Sequence, residues 1–472
     1  MNWSRQYSPA RWQQLTLGWV LLLLAMRIFA LDIGETRHLL DRTGFGARPA
    51  DIEIYAPLSR SEAVDKIIGR RVATPEPPEW VRERPLPNPR RFDEVPEAQR
   101  LVLRRAENRV RRTQQAELKA WWYHRMLATD APLVERLLLF WHDHFTTEVR
   151  RIGSPQLMLR QHTMLRQHAL GNYADLLRAV ATDPAMLIYL DGRLNRHQQP
   201  NENFARELLE LFTLGEGHYS EADIQPAARA LSGWIVALDS GTARFLPRRF
   251  DDGKKRFLGR TGHWGLPAVI AILLDHPRTA EMVVEKLWIE MVSPQPDRAE
   301  VSRLAAVFRE SGYEMRPLLR ALLLSDAFWA ERHRGTLVKS PVELIVGTLR
   351  RFDLPAPPDT QLLALGRQMG QELFDPPDVK GWPAYTDWIN TDRLLARERF
   401  LRRVTRDLSE ERAPVGQVWS KLGVTAAAGL LWPTSAVSPP TPSAERGEDD
   451  HAEESARDEL IGLILDPRYQ VK

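Results

Sequence analysis

The 472 residues are enough for two or three average domains, and 43% hydrophobic content with 15 Trp supplies a large core. Lys+Arg 65 against Asp+Glu 62 leave a formal charge of +3, too balanced to mark a nucleic-acid-binding chain. Cys 0 excludes disulfides, thiolate nucleophiles, iron–sulfur clusters and cysteine-ligated zinc, and is compatible with an oxidising compartment.

At the N-terminus, Arg5 and Arg11 precede a run over residues 15–26 that is apolar apart from Thr16. That run falls short of the roughly 20 residues that cross a bilayer. It matches the roughly 7–15 residues of a signal-peptide core. Arg27 and Ile28 depart from the usual cleavage region. Residues 1–30 therefore read as a signal peptide cut near Ala30, with an uncleaved inner-membrane anchor and a buried N-terminal helix as alternatives. The address this implies is periplasmic or secreted, or the inner membrane.

From residue 31 to 432 the pattern is that of one large, mainly α domain. Helical spacing covers 35–40, 50–55 and 61–68, the last opened by a serine cap signal. Residues 75–96 are proline-rich and predict an extended loop. A long helix follows over 97–127, then one opened by Asp130 and Pro132 that reaches about Trp141. The ten arginines of 82–112 are interleaved with Glu83, Asp93, Glu94, Glu97 and Glu107, as on a solvated helical face. Further helices are predicted at 156–168, 173–181, 203–214 and 221–232. Residues 234–258 interrupt them with the short β-rich runs WIVAL, ARFLP and KRFLG, a hairpin or meander insertion. Helices return at 266–274, 279–291, 297–311, 315–324, 341–352 and 391–404. Residues 433–456 are rich in Pro, Ser, Thr and acids and predict disorder. The 457–472 segment carries a last helix over 459–465 that packs back through its leucines.

Chemistry concentrates in NENFARELLELFTLG, residues 201–215. On a helix Asn203 and Glu207, Glu207 and Glu210, and Arg206 and Glu210 lie three or four residues apart and share a face. These groups can hold a cation, position a water, or form an ion-pair lattice in which Arg206 is the internal counter-ion. WHDHF adds His142 and His144, which diverge by about 200° on a helix and meet at one site only if it unwinds near Trp141. Together His142, His144, Glu207 and Glu210 form a candidate catalytic or divalent-metal set suited to zinc, manganese or iron. Asn203 and Arg206 would assist, Arg206 by holding an anionic substrate. Candidate substrate-binding residues are Arg260 in FLGRTG and Lys380, Trp382, Trp388 and Asn390 in KGWPAYTDWINT, where aromatic and polar residues mix as in sugar or peptide grooves. The competing reading makes the histidines core or capping residues, the 203–210 charges a structural network, and the tryptophans a loop anchor.

HLLDRTGFGARPADI, LFWHDHFTT, DPAMLIYLDGRLNR, AARALSGW, FDDGKKRFLGRTG, KSPVELIVGTLR and LFDPPDVKGWPAYTDWINT occur in this order. Their wording closely resembles the bacterial domain-of-unknown-function family numbered 1800. The resemblance runs from about Gly34 to Phe400 and resumes in LIGLILDPRYQ. It implies a mainly helical fold and, commonly, an export signal, and attaches no reaction. Two functions stay open: a metal- or carboxylate-dependent hydrolase of the periplasm, and a non-catalytic binding or assembly protein that meets a partner protein or polysaccharide in the cell envelope.

Overall fold

The computed structural model describes residues 30–70, 75–82, 95–237, 239–409 and 461–472. The expected export segment, most of the proline-rich lead-in and the 433–456 tract lie outside the described residues. The fold is mainly α with a small β insertion. Helix starts follow local chemistry. Asp32 with Glu35, Ser59 with Glu62 and Ser340 with Glu343 form capping boxes that open Ile33–Thr43, Arg60–Gly69 and Pro341–Arg351. Proline occupies the first turn of Pro132–His144, Pro155–His168, Pro184–Tyr189 and Pro277–Met291, where its missing N–H costs nothing.

The Pro132–His144 helix is central: every residue except Pro132 and Asp143 is buried. Such a helix must satisfy its charges internally. Glu135 accepts from Arg166 at 2.5 Å and from the Trp122 indole at 3.1 Å, and Arg136 pairs with Glu343 at 2.7 Å. Pro155–His168 and Ile33–Thr43 pack against it. The long helix Glu97–Ala128 buries Leu118, Trp122, Tyr123 and Met126 in its C-terminal half. That half meets Pro155–His168, Pro341–Arg351 and Asp359–Met369. Pro277–Met291, Arg298–Glu310 and Met315–Leu323 pack in succession.

The β insertion is two separate two-stranded hairpins. Trp234–Val236 pairs antiparallel with Ala243–Phe245, and Lys255–Phe257 with Arg260–Gly262, so the second hairpin runs past the expected limit at 258. Its two-residue turn puts Leu258 at φ 46° and Gly259 at φ 78°, the left-handed pair that matches strand twist. Asp359–Met369 is a helix that the proline-flanked sequence does not announce; it starts after Pro358 and ends on left-handed Gly370. At the C-terminus Leu463, Ile464 and Tyr469 enter the core. The Lys339 N–H donates to the Gln470 carbonyl and the Lys472 N–H to that of Leu337, a short ladder that holds the last residues down. Among the described residues no helix is long and apolar enough to cross a membrane.

Candidate functional site

Helical geometry sends the three polar residues of WHDHF in three directions, because the helix does not unwind at Trp141 but continues through His144. His142 Nε2 lies 3.2 Å from His162 Nδ1, with the Trp122 and Phe374 rings centred 4.9 and 5.1 Å away. Burial drives the His142 imidazole down to about 3 and that of His162 well below its ordinary range, so both stay neutral. His144 sits on another side, against Trp141, Phe145 and Phe212. Its Nδ1 is 3.0 Å from Lys286 Nζ. A protonated lysine can only donate, so Nδ1 accepts and the imidazole proton resides on Nε2.

Asp143 is the one that faces outward. Its Oδ1 accepts from the Trp382 backbone N–H at 2.6 Å. A Cβ on Gly381, at φ 101°, would lie 2.3 Å from the same oxygen, so this approach of loop to helix requires glycine. Asp143 lines a narrow cleft of about 90 Å³ with Arg136, Phe140, Glu290, Trp382 and Tyr385. Arg136 ties Glu290 to Glu343, and Lys472 also pairs with Glu343. Tyr385, 39% exposed, is held at φ 54°, where a side chain costs strain. Burial pushes the Asp143 carboxyl up to about 7, against the pull of the Trp382 N–H and the Lys286 ammonium. Burial brings Lys286 down to about 8, opposed by Asp143. A carboxyl at a cleft that titrates near neutrality, with a depressed amine in its electrostatic field, is the usual mark of proton-transfer chemistry.

Behind this pair lies the 201–215 segment. It begins as an α-helix, Asn203–Glu207, and becomes a π-helix over Leu208–Thr213. Its last carbonyls, which lack partners within the helix, meet side-chain donors. Lys286 donates to Leu211 at 3.0 Å, Tyr173 to Phe212 at 2.7 Å and Arg278 to Leu214 at 3.0 Å. π-segments are rare and concentrate at functional sites. The ionisable residues are not joined as the α-helical spacing suggests. Arg206 does not neutralise Glu210; it turns outward to Glu221 at 2.6 Å and Glu202 at 3.7 Å. Glu210 accepts from the Tyr219 hydroxyl at 3.0 Å. Glu207 is half-buried and its carboxyl is raised by burial and then by Glu210, with Arg206 and Lys380 opposing. Asn203 takes the Asn201 side chain on its backbone N–H at 3.0 Å. WHDHF does lie against this segment, through the Phe212 ring and through Lys286. Among the described residues, however, no hydrogen bond or ion pair joins either histidine to Glu207 or Glu210. No group of three or more His, Asp or Glu among them is arranged to hold a metal ion. Among the described residues, His142, His144, Glu207 and Glu210 do not converge as one group.

The other candidates divide. Lys380 is exposed and lines an open hollow of about 560 Å³ with Asp378, Gly381, Asn390 and Arg393. Asn390 Oδ1 also caps the following helix through the Arg393 N–H at 2.9 Å. Trp382 and Trp388 are only 7% and 5% exposed, and the Trp382 indole donates to the Glu372 carbonyl. They anchor the loop more than they offer a stacking face. Arg260 is exposed and paired with Asp275. Asp143, Lys286, Arg136 and Glu290 escaped the sequence reading. Lys286 and Glu290, one helical turn apart in the apolar run VVEKLWIEM, were the signal that could have found them.

The chain belongs to the family described as "Protein of unknown function (DUF1800)", whose model matches residues 38–471. No curated protein and no solved structure matches it.

Proposed function

We propose that this chain is a hydrolase of the cell envelope that works by carboxylate acid–base chemistry at Asp143. The observation that carries the reading is the position of that carboxyl. It is fixed at 2.6 Å by the Trp382 N–H, opens on a cleft, and is shifted to about 7 within the field of a depressed lysine. In its protonated form Asp143 delivers a proton to a leaving group; in its ionised form it withdraws one from water. The Lys286 ammonium stabilises the ionised state, and its bonds to His144 and Leu211 hold it in place. Arg136, buried on the cleft wall between Glu290 and Glu343, fixes the positions of those two carboxylates. Glu207 stands on the side of Lys380 and serves substrate positioning in this scheme. The N-terminal run 15–26 supports the envelope address.

Asp143→Asn tests it on purified full-length protein, against glycoside, ester and amide bonds of envelope polymers. Wild type should hydrolyse one class with a break in rate near pH 7, and the variant should lose about 100-fold or more while its circular dichroism is unchanged. A variant as active as wild type, or a carbon-13 titration placing Asp143 near pH 4, would falsify the proposal. A second reading, a non-catalytic assembly protein, draws on the buried state of Trp382 and Trp388. It predicts that Asp143→Asn alters stability alone, with no hydrolysis by either protein.

A further inference from the structure

The N-terminal half of the long helix Glu97–Ala128 behaves unlike the rest of the molecule. Leu101, Val102, Leu103 and Val110 are 54%, 64%, 41% and 53% exposed, on a helix whose other half is packed into the core. At 100° per residue, Val102, Leu103, Ala106 and Val110 fall in one sector about 100° wide. Arg105, Arg109 and Arg112 fall in the adjoining sector beside Leu101, and Arg104 lies about 80° further round. All four arginines are exposed. Among the described residues no carboxylate pairs with them, whereas Arg111 pairs with Glu107 at 3.5 Å and donates to the Gly153 carbonyl. Salt bridging among the described residues thus accounts for the inner arginine and for none of the outer four. Over residues 97–113 the helix carries six arginines against Glu97 and Glu107. An aliphatic strip beside a row of exposed guanidinium groups is the composition of a helix that lies on a membrane surface.

We infer that the 99–113 face docks this protein on an anionic phospholipid surface, the arginines meeting headgroup phosphates and Val102, Leu103 and Val110 entering the acyl boundary. The occupant follows from complementarity. Anionic lipid offers both the negative charge and the apolar layer beneath it, while a nucleic acid would use the arginines and leave the aliphatic strip in water. The strip holds no aromatic residue on which a base could stack. The inference is independent of the Asp143 chemistry.

The absence of cysteine makes a local test possible. Full-length Val102→Cys, labelled with an environment-sensitive fluorophore, is mixed with vesicles of phosphatidylcholine alone or with 30% phosphatidylglycerol. The expected result is a blue shift on the anionic vesicles only. It should weaken at least tenfold in apparent affinity in high salt or on adding Arg105→Glu with Arg109→Glu. Leu194→Cys, an exposed leucine elsewhere on the surface, should show no shift when labelled in the same way. The inference is overturned if the Val102 label does not shift, if phosphatidylcholine shifts it equally, or if duplex DNA without lipid produces the same change. A label on Val102 senses its own surroundings, so attachment through residues 15–26 cannot imitate the result.

Discussion

At the scale of single residues, Asp143 shows how the helix sorts neighbours that look alike in sequence. His142 and His144 drew attention because paired imidazoles suggest a metal. Each nevertheless turns into the core, where burial keeps it neutral. The aspartate between them reaches the cleft, and nothing in WHDHF marks it as the accessible one. Glu207 gives a sharper test of how the polar patch on the 201–215 segment is built. Its carboxyl is raised by burial and by Glu210, and among the described residues nothing donates to it. A carboxyl with a raised folded-state pKa contributes stability that is present below its unfolded pKa and lost as pH rises through the folded value. At pH 7 the ionised Glu207 is therefore a liability. Glu207→Gln should leave the protein as stable as wild type or more stable, by up to about 0.5 kcal/mol. The difference should shrink as pH falls toward the ordinary glutamate value, about 4.3, and below it, where the carboxyl becomes protonated in both states. Urea melts at pH 7 and pH 4 measure this; a clear loss of stability at pH 7 would mean that Glu207 has a partner as an anion.

At the scale of elements, most helices could be read from the sequence, and the reasons are local. Tyr173–Ala181 follows Asn172, whose side chain caps it, and its apolar residues recur at helical spacing. The capping boxes and first-turn prolines mark other starts. The π-segment Leu208–Thr213 could not be read in this way. Leu208, Leu209 and Phe212 are buried in a pattern that an α-helix would also produce, and a six-residue run is too short to tell a shift of register. The end of the segment is held by tertiary contacts: donors from Tyr173, Lys286 and Arg278 reach last-turn carbonyls that lack a partner within the helix. The same blind spot hid the site, since Trp382 bonds Asp143, and Lys286 acts on it electrostatically, from segments far away in sequence. Tyr173 is wholly buried, and its hydroxyl donates to the Phe212 carbonyl at 2.7 Å. Tyr173→Phe keeps the ring and strands that carbonyl. It should cost about 1–3 kcal/mol in denaturant midpoint with an unchanged slope. A cost below about 0.5 kcal/mol would show that the π-register holds without this donor.

At the scale of the whole molecule, the mainly α architecture was legible, while the balance of buried ionisable groups emerges only from packing. His38, His142, His144 and His162 are all buried, with protonation disfavoured by desolvation. For a histidine whose folded pKa is depressed, the stability present above the unfolded value, about 6.5, is lost as pH falls below it, because only the unfolded chain takes up the proton. Two buried carboxyls act in the opposite sense. Asp143 and Asp183 are raised to about 7, so between pH 7 and pH 4 the folded chain holds protons that the unfolded chain does not. Four protons favouring the unfolded state against two favouring the folded one leave a net uptake of about two on unfolding near pH 5. That uptake is worth roughly 3 kcal/mol per pH unit. The histidines win, and a protein of ordinary stability, about 5–15 kcal/mol, should unfold in acid before its surface carboxylates are fully protonated. Denaturant titrations between pH 7 and pH 4.5 should show stability nearly level at pH 7, where the two contributions cancel, and falling with that slope near pH 5. His162→Gln should flatten it by about one proton, because glutamine cannot titrate. A stability that stayed level from pH 7 to pH 4.5 would mean that the four imidazoles can take up protons in the folded state, and that the caged arrangement around Trp122 and Phe374 opens to water.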